Sequence, residues 1–180
     1  MSEPLTADRI TAQAAELAGR YPDPRSAVMP ALNWVQTQEG WLSPESMEAV
    51  AAGLGVSAAY VQSFASFYSM FRLQPVGRHV VSVCTTVSCM LAGSDDTLSA
   101  VCRHTGAPPF GTSRDGEWFV ERIECIGACD LAPAVQVDNS FPERVAAAAV
   151  PDFLRRAAEG RLTTPSPGHY ASRRSRGSGT

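Results

Sequence analysis

The first 73 residues carry the apolar spacing of amphipathic helices. Apolar side chains recur every three or four positions in four stretches, so that they line one face of each helix. These stretches cover about residues 7–20, 26–39, 44–53 and 58–71. Thr6, Ser43 and Ser57 are predicted N-caps, because a hydroxyl group there accepts a hydrogen bond from a free backbone N–H. The pattern predicts a helical domain over residues 1–73.

The fourth predicted helix is rich in aromatic side chains. They are Tyr60, Phe64, Phe67, Tyr68 and Phe71. A stripe of this kind forms either part of a core or a docking face for a partner. Burial in the core is the favoured interpretation, because apolar stripes at helical spacing more often face inward.

The pattern changes after residues 74–77, where Gln-Pro-Val-Gly predicts a boundary. Alternating runs rich in Val then predict strands, and two longer stretches predict helices. In chain order these are strand 79–84, helix 97–104, strands 118–123 and 134–137, a hairpin partner at 141–145, and helix 151–159. This order predicts helices packed on a small sheet over residues 78–160. The fold class is therefore predicted as α+β, with a helical bundle followed by an α/β domain.

Composition and charge narrow the class of protein. The chain of 180 residues is 44% hydrophobic and 18% charged, which is typical of a globular protein. Residues 161–180 hold four Arg and no acid, and this Pro-, Gly- and Ser-rich tail is predicted to be disordered. The remaining chain is acidic, which argues against nucleic acid as a partner. No apolar run is long enough for direct membrane insertion and no signal peptide is evident, so a cytoplasmic location is expected.

Four of the five cysteines form two close pairs. Cys84 and Cys89 make a C-x4-C pair after one predicted strand, and Cys125 and Cys129 make a C-x3-C pair after another. Neighbouring strand ends would bring the pairs together, and four thiolates complete the two irons of a 2Fe–2S cluster. A zinc site remains an alternative, and so do disulfides or a dithiol redox site.

Residues around the pairs should tune such a cluster. Gly127 and Ala128 are small, so backbone N–H groups could approach the sulphurs and raise the reduction potential. Acidic residues lie near the ligands in sequence and should lower it. They are Glu121, Glu124, Asp130, Asp95 and Asp96. The expected potential is low, within a few hundred millivolts of the roughly −400 mV of plant-type clusters with four cysteine ligands.

The motifs resemble one known family. The runs 84–91 (CTTVSCML) and 124–133 (ECIGACDLAP) are similar to the small thioredoxin-like 2Fe–2S ferredoxin subunit of the NADH dehydrogenase module of respiratory complex I, the NADH-quinone oxidoreductase. Residues 25–32, 40–42 and 64–71 resemble the helical domain of that family. The resemblance covers about residues 20–160.

The resemblance implies a fold, a cofactor and a partner. The second domain is expected to be thioredoxin-like, with Cys84, Cys89, Cys125 and Cys129 as ligands of one 2Fe–2S cluster. The cluster should exchange single electrons with the FMN of an NADH-binding flavoprotein subunit. FMN and NADH would bind only to that partner, no catalysis is expected from this chain alone, and other peripheral-arm subunits of complex I are expected partners.

The resemblance also bears on location and on the host enzyme. The complex would hold the chain peripherally at the inner membrane. The same type of subunit also serves NAD-dependent formate dehydrogenases and hydrogenases. A zinc-stabilised assembly domain without redox activity is the alternative from another class.

The remaining candidates have simpler interpretations. Cys102 lies in a predicted helix and is expected to be a packing residue rather than a fifth ligand. His79 and His104 are expected at the surface or in packing.

The segment 53–58 fits G-x-G-x-x-A but follows a helix, so a dinucleotide site is rejected. A helix-turn-helix that binds DNA is disfavoured by the acidic charge.

Overall fold

A computed structural model describes residues 5–138 and 140–163 of the chain. It divides into two compact units at Pro75 and Val76. The predicted tail over residues 161–180 lies outside the described residues except for its first three positions.

The first unit is a bundle of four α-helices. They are α1 (Ala7–Ala18), α2 (Val28–Glu39), α3 (Pro44–Leu54) and α4 (Ala58–Phe67), with a 3-10 turn at Pro24–Ala27 before α2. Thr6, Ser43 and Ser57 each accept a backbone N–H with their side chains, so the three predicted caps are present. The apolar faces meet in one core around Leu32, Val50 and other fully buried side chains. Burial of each such side chain stabilises the fold by about 1.5–3 kcal/mol.

Helix α4 ends four residues earlier than predicted. Tyr68 already has extended backbone angles. The Gln36 side chain donates to the Met70 carbonyl and accepts the Arg72 N–H, which holds the chain away from the helical path. The aromatic stripe is consequently split: Phe71 is buried, but 79% of Phe67 is exposed. Burial in the core is therefore the wrong interpretation for Phe67.

The second unit holds a mixed sheet of five strands in the order β2-β3-β1-β4-β5. The strands are β1 (His79–Cys84), β2 (Gly111–Thr112), β3 (Trp118–Ile123), β4 (Ala134–Val137) and β5 (Glu143–Arg144). Strand β1 runs parallel to β3 and antiparallel to β4, and β5 pairs with β4 as the predicted hairpin. Helices of this unit are α5 (Val87–Leu91), α6 (Ser94–Thr105) and α7 (Val150–Ala158).

The valines of the central strands explain the core of the second unit. Val81 and Val83 point to one face because successive strand residues alternate. There they pack with Leu98 of α6 and with Phe153 and Leu154 of α7. The opposite face of β1 carries Ser82 and Cys84, and Cys84 belongs to a separate small apolar cluster with Cys89 and Ala134. The strand pattern thus directs the cysteine away from the main core.

No single helix among the described residues is long and apolar enough to cross a membrane. Helices α3 and α4 reach the required length and composition only together, and a bend of 119° separates them.

Candidate metal centre

Two parallel strands deliver the two cysteine pairs to the same edge of the sheet. Cys84 is the last residue of β1 and lies opposite Ile123, the last residue of β3. Cys125 follows two residues later. Short α5 returns Cys89 toward Cys84, and a 3-10 turn begins at Cys129. All four predicted site residues are therefore brought together.

The sulphur atoms form two pairs of free thiols. Cys125 Sγ and Cys129 Sγ lie 3.9 Å apart, and Cys84 and Cys89 are hydrogen-bonded to each other. All the cysteines are free, so neither pair is bridged by a disulfide. Two thiolates on one tetrahedral metal with bonds of about 2.3 Å lie about 3.8 Å apart, which is close to the separation of the Cys125 and Cys129 sulphurs. The outer pair therefore suits a single metal ion.

The inner pair is buried and the outer pair is exposed. Cys84 and Cys89 expose 3% and 2% of their surface, whereas Cys125 and Cys129 are open to solvent. A bound group would consequently be anchored on the protein side and accessible on the other.

Backbone N–H groups donate to sulphur atoms of both pairs. The Gly127 N–H donates to Cys125 Sγ at 3.3 Å, which is the close backbone approach predicted from the small size of this residue. The Ala134 N–H donates to Cys89 Sγ at 3.4 Å. The sequence pattern gives no sign of this second donor, because it comes from β4 and only the strand pairing brings it near. In the thiol state Cys84 itself donates to the Glu124 carbonyl at 3.0 Å.

The thiol pKa values reflect burial and mutual repulsion. Burial raises the pKa of Cys84, but hydrogen bonds from the backbone of Thr86 and Ile126 outweigh it, so the net pKa lies below its usual range. Burial raises the pKa of Cys89, opposed by the Ala134 N–H. The hydrogen bond with Cys125 raises the pKa of Cys129, and the negative charges of Cys125 and Cys84 add to that effect.

These charges connect the two pairs electrostatically. Ionised Cys129 disfavours ionisation of Cys89, and ionised Cys84 disfavours ionisation of Cys129. Four thiolates at such short range need compensating positive charge, because like charges repel strongly in a partly buried site. Metal ions supply that charge.

The four thiols form two separate pairs, which is the ligand arrangement that a binuclear group requires. Two irons of a 2Fe–2S cluster need only two thiolates each, which the two pairs provide. The donor set therefore fits this cluster.

The predicted acids are partly neutralised. Asp95 pairs with Arg122 at 3.5 Å, and the Glu121 carboxylate accepts the Ser82 hydroxyl at 2.6 Å. Arg144 donates to the Asp130 carbonyl at 2.6 Å, which places a cation beside that acid. Asp95 and Asp130 are thus weaker negative influences on the site than isolated carboxylates would be.

The other candidates lie outside the centre. Cys102 is partly buried against the core of the second unit. His79 is buried, contacts Asp138 at 3.0 Å and lies against Trp118, at the far end of β1 from Cys84. His104 is exposed at the end of α6. Gly53 lies where α3 crosses α1, and an added Cβ would lie 2.4 Å from the Thr11 carbonyl oxygen.

Comparison with known proteins gives a family match over most of the chain. The family model described as "Thioredoxin-like [2Fe-2S] ferredoxin" matches residues 14–158. An NADH-quinone oxidoreductase subunit of Mycobacterium tuberculosis is 40% identical over 140 residues, which cover 75% of this chain and 56% of that protein. An NADH-quinone oxidoreductase subunit of Rhizobium meliloti is 40% identical over 144 residues, which cover 79% of this chain and 86% of the relative. The chain thus spans little more than half the length of its mycobacterial relatives.

A solved structure supports the fold. The NAD+-reducing [NiFe]-hydrogenase in its H2-reduced state aligns with a TM-score of 0.63 at 21% identity, over 73% of this chain and 22% of that one. At this identity the similarity concerns the fold alone. The expected α+β fold is confirmed by the sheet and helices described above and by the family match.

Proposed function

The chain belongs to the thioredoxin-like [2Fe-2S] ferredoxin family, and from that premise we propose that it is an electron-transfer subunit of an NADH:quinone oxidoreductase. Cys84, Cys89, Cys125 and Cys129 are the proposed ligands of its single 2Fe–2S cluster. When bound, the cluster supplies reversible one-electron storage. The units on either side of residue 75 are proposed to be the helical domain and the thioredoxin-like domain of this family.

The graded burial of the four thiols carries this proposal. The inner cysteines and the N–H groups of Gly127 and Ala134 fix the site and offer hydrogen bonds to sulphur. The outer cysteines leave one side open, so an electron donor can approach closely without entering a pocket. An enzyme active site would instead need a cleft for substrate beside the reactive groups.

The surface next to the outer cysteines is suited to a protein partner. Val87, Met90 and Leu91 of α5 form an exposed apolar patch, the α5 patch. Ser88, which lies within α5, hydrogen-bonds Cys129, so this patch adjoins the outer pair. Apolar side chains grouped beside a functional site mark an interaction surface. We propose that an NADH- and FMN-binding flavoprotein subunit docks here and that the chain reaches the inner membrane only through this complex.

The host enzyme is the finer part of the proposal. Relatives named as NADH-quinone oxidoreductase subunits from several bacteria favour that host. An NAD-dependent hydrogenase or formate dehydrogenase is the second candidate, because a fold shared with a hydrogenase at 21% identity does not distinguish between these hosts. Identification of the flavoprotein that co-purifies with the native chain separates these hosts.

Anaerobic reconstitution tests the cofactor and its ligands. The full chain should bind about two irons and two sulphides and give a rhombic EPR signal after one-electron reduction. Cys125→Ser should lose most of this signal, because it removes one thiolate of the outer pair. Cys102→Ser is the matched control and should keep full iron and sulphide content. Zinc without sulphide in protein purified without oxygen, or equal loss in both variants, contradicts the proposal.

A further inference from the structure

The Thr86 hydroxyl group is buried beside the proposed ligands and lacks a conventional partner. Thr86 stands between Cys84 and Cys89 in the sequence. Its Oγ1 is inaccessible to solvent and makes no hydrogen bond of normal geometry within the described residues. Such groups are uncommon, because buried hydroxyl groups nearly always have a partner.

Helix capping does not account for this hydroxyl. Thr86 occupies the N-cap position of α5, where a Thr side chain normally accepts a backbone N–H. It makes no such bond. Thr6, Ser43 and Ser57 occupy the same position in other helices and all make it. The Thr86 side chain is therefore turned away from its own helix.

The hydroxyl lies instead beside the sulphur of Cys84. The backbone and the side chain of Thr86 both lie within hydrogen-bonding range of the Cys84 sulphur. A thiol is a weak acceptor of hydrogen bonds, whereas a thiolate is a strong one. A partner for the Thr86 hydroxyl is thus present once metal binding has displaced the Cys84 proton to solvent and left a thiolate.

We propose that Thr86 donates an O–H···S hydrogen bond to Cys84 Sγ in the loaded protein and thereby raises the reduction potential of the site. This inference rests on the proposed function, since it takes Cys84 as a cluster ligand. One electron from an external reductant adds one negative charge to the site. A hydrogen bond to a ligand thiolate stabilises that more negative state. Thr86 is a positioning residue, because it acts through the sulphur.

Two substitutions at position 86 isolate the hydroxyl group. Thr86→Val keeps the shape and removes the O–H, whereas Thr86→Ser keeps the O–H. Thr85→Val is the matched control, because the neighbouring Thr85 hydroxyl donates to the Ile123 carbonyl at 3.4 Å and to no sulphur. Each full-length variant is reconstituted without oxygen and titrated potentiometrically with EPR detection.

Thr86→Val should lower the midpoint potential. When the ambient potential is held constant, the ratio of reduced to oxidised protein should fall about tenfold, as expected for the loss of one hydrogen bond to a charged group. For a one-electron couple this corresponds to about 59 mV. Thr86→Ser and Thr85→Val should stay at the wild-type midpoint.

Three results would overturn the inference. The first is an unchanged midpoint in Thr86→Val, and the second is an equal shift in Thr85→Val. If Thr86→Val does not retain iron, Thr86→Ala is compared with Thr86→Ser instead. Equal midpoint potentials of these two variants are the third result. Failure of the wild-type chain to bind iron and sulphide contradicts the proposed function itself, and is seen before any variant is made.

Discussion

The four site cysteines have similar chemistry but different surroundings. Cys84 ends a strand and faces a small apolar cluster, whereas Cys125 and Cys129 lie in an exposed loop. The Cys84 sulphur gains rigid support, because β1, which ends at Cys84, is paired with β3 on one side and with β4 on the other. The exposed sulphurs gain access to a partner. This asymmetry separates retention of the cofactor from exchange of the electron.

Cys102 is predicted to react more slowly than an ordinary cysteine in the loaded protein. Burial raises its pKa above the usual range of a thiol, so at pH 8 less of it is thiolate than in a free cysteine. Alkylation by iodoacetamide should accordingly be slower than that of a cysteine peptide and should accelerate as the pH rises beyond about 9. Mass spectrometry of reconstituted protein gives the rate. Reaction of Cys102 as fast as the peptide at pH 8 contradicts its placement as a packing residue.

Sequence spacing predicts the site cysteines but not their full environment. The pairs are recognisable because each metal ion needs ligands that are close along the chain. No sequence pattern predicts that the Ala134 N–H and the Thr86 hydroxyl lie beside these sulphurs. The first depends on how β4 pairs with β1, and the second on which way one rotamer turns.

At the scale of elements, strand prediction succeeds where the pattern is simple. Strands β1, β3 and β4 begin and end at the predicted residues, because alternating Val-rich runs admit only one face toward the core. The pattern does not predict helix α5, since its five residues are too few to show a helical period. The predicted end of α4 is wrong because distant Gln36 competes for its backbone. Contacts between residues distant in the sequence therefore determine those helix boundaries that the local apolar pattern does not predict.

Gly53→Ala should destabilise the helical unit through the crossing of α1 and α3. The added Cβ would lie 2.4 Å from the Thr11 carbonyl oxygen and 2.7 Å from the Ala14 Cβ. The helices must separate, which costs about 1–3 kcal/mol of the free energy of unfolding. Gly19→Ala is the control, because its Cβ has ordinary contacts from 3.5 Å and its backbone is right-handed.

Chemical denaturation followed by circular dichroism measures both glycine variants. A lower midpoint in Gly53→Ala alone is the expected result. Equal stability of Gly53→Ala and the wild type contradicts close packing at this crossing. That outcome would reopen the question of why a glycine occupies the position, since the sequence context already excludes a dinucleotide site.

At the scale of the whole molecule, the proposed electron transfer requires a second protein that delivers the electron. One cavity of about 400 Å³ is lined by Asp23, Arg25 and Tyr60 of the helical unit, and no cysteine lines it. Because the outer cysteines are exposed, the proposed electron exchange would occur across a surface. The α5 patch adjoins the outer cysteines and is the apolar part of that surface.

Leu91→Glu should weaken docking of the flavoprotein without loss of the cluster. Leu91 is 79% exposed, so the substitution removes little from the folded chain. In the complex the introduced Glu carboxylate would be buried where the Leu91 side chain had packed. The Kd for the flavoprotein should therefore rise about tenfold or more, equivalent to about 1.4 kcal/mol. Phe141→Glu is the matched control, because Phe141 is also exposed but follows β4 at the opposite end of the sheet. Titration of each reconstituted variant with the purified flavoprotein measures the Kd, while iron analysis verifies the cluster. Wild-type affinity in Leu91→Glu, or an equal loss in Phe141→Glu, would place the docking surface elsewhere on the chain.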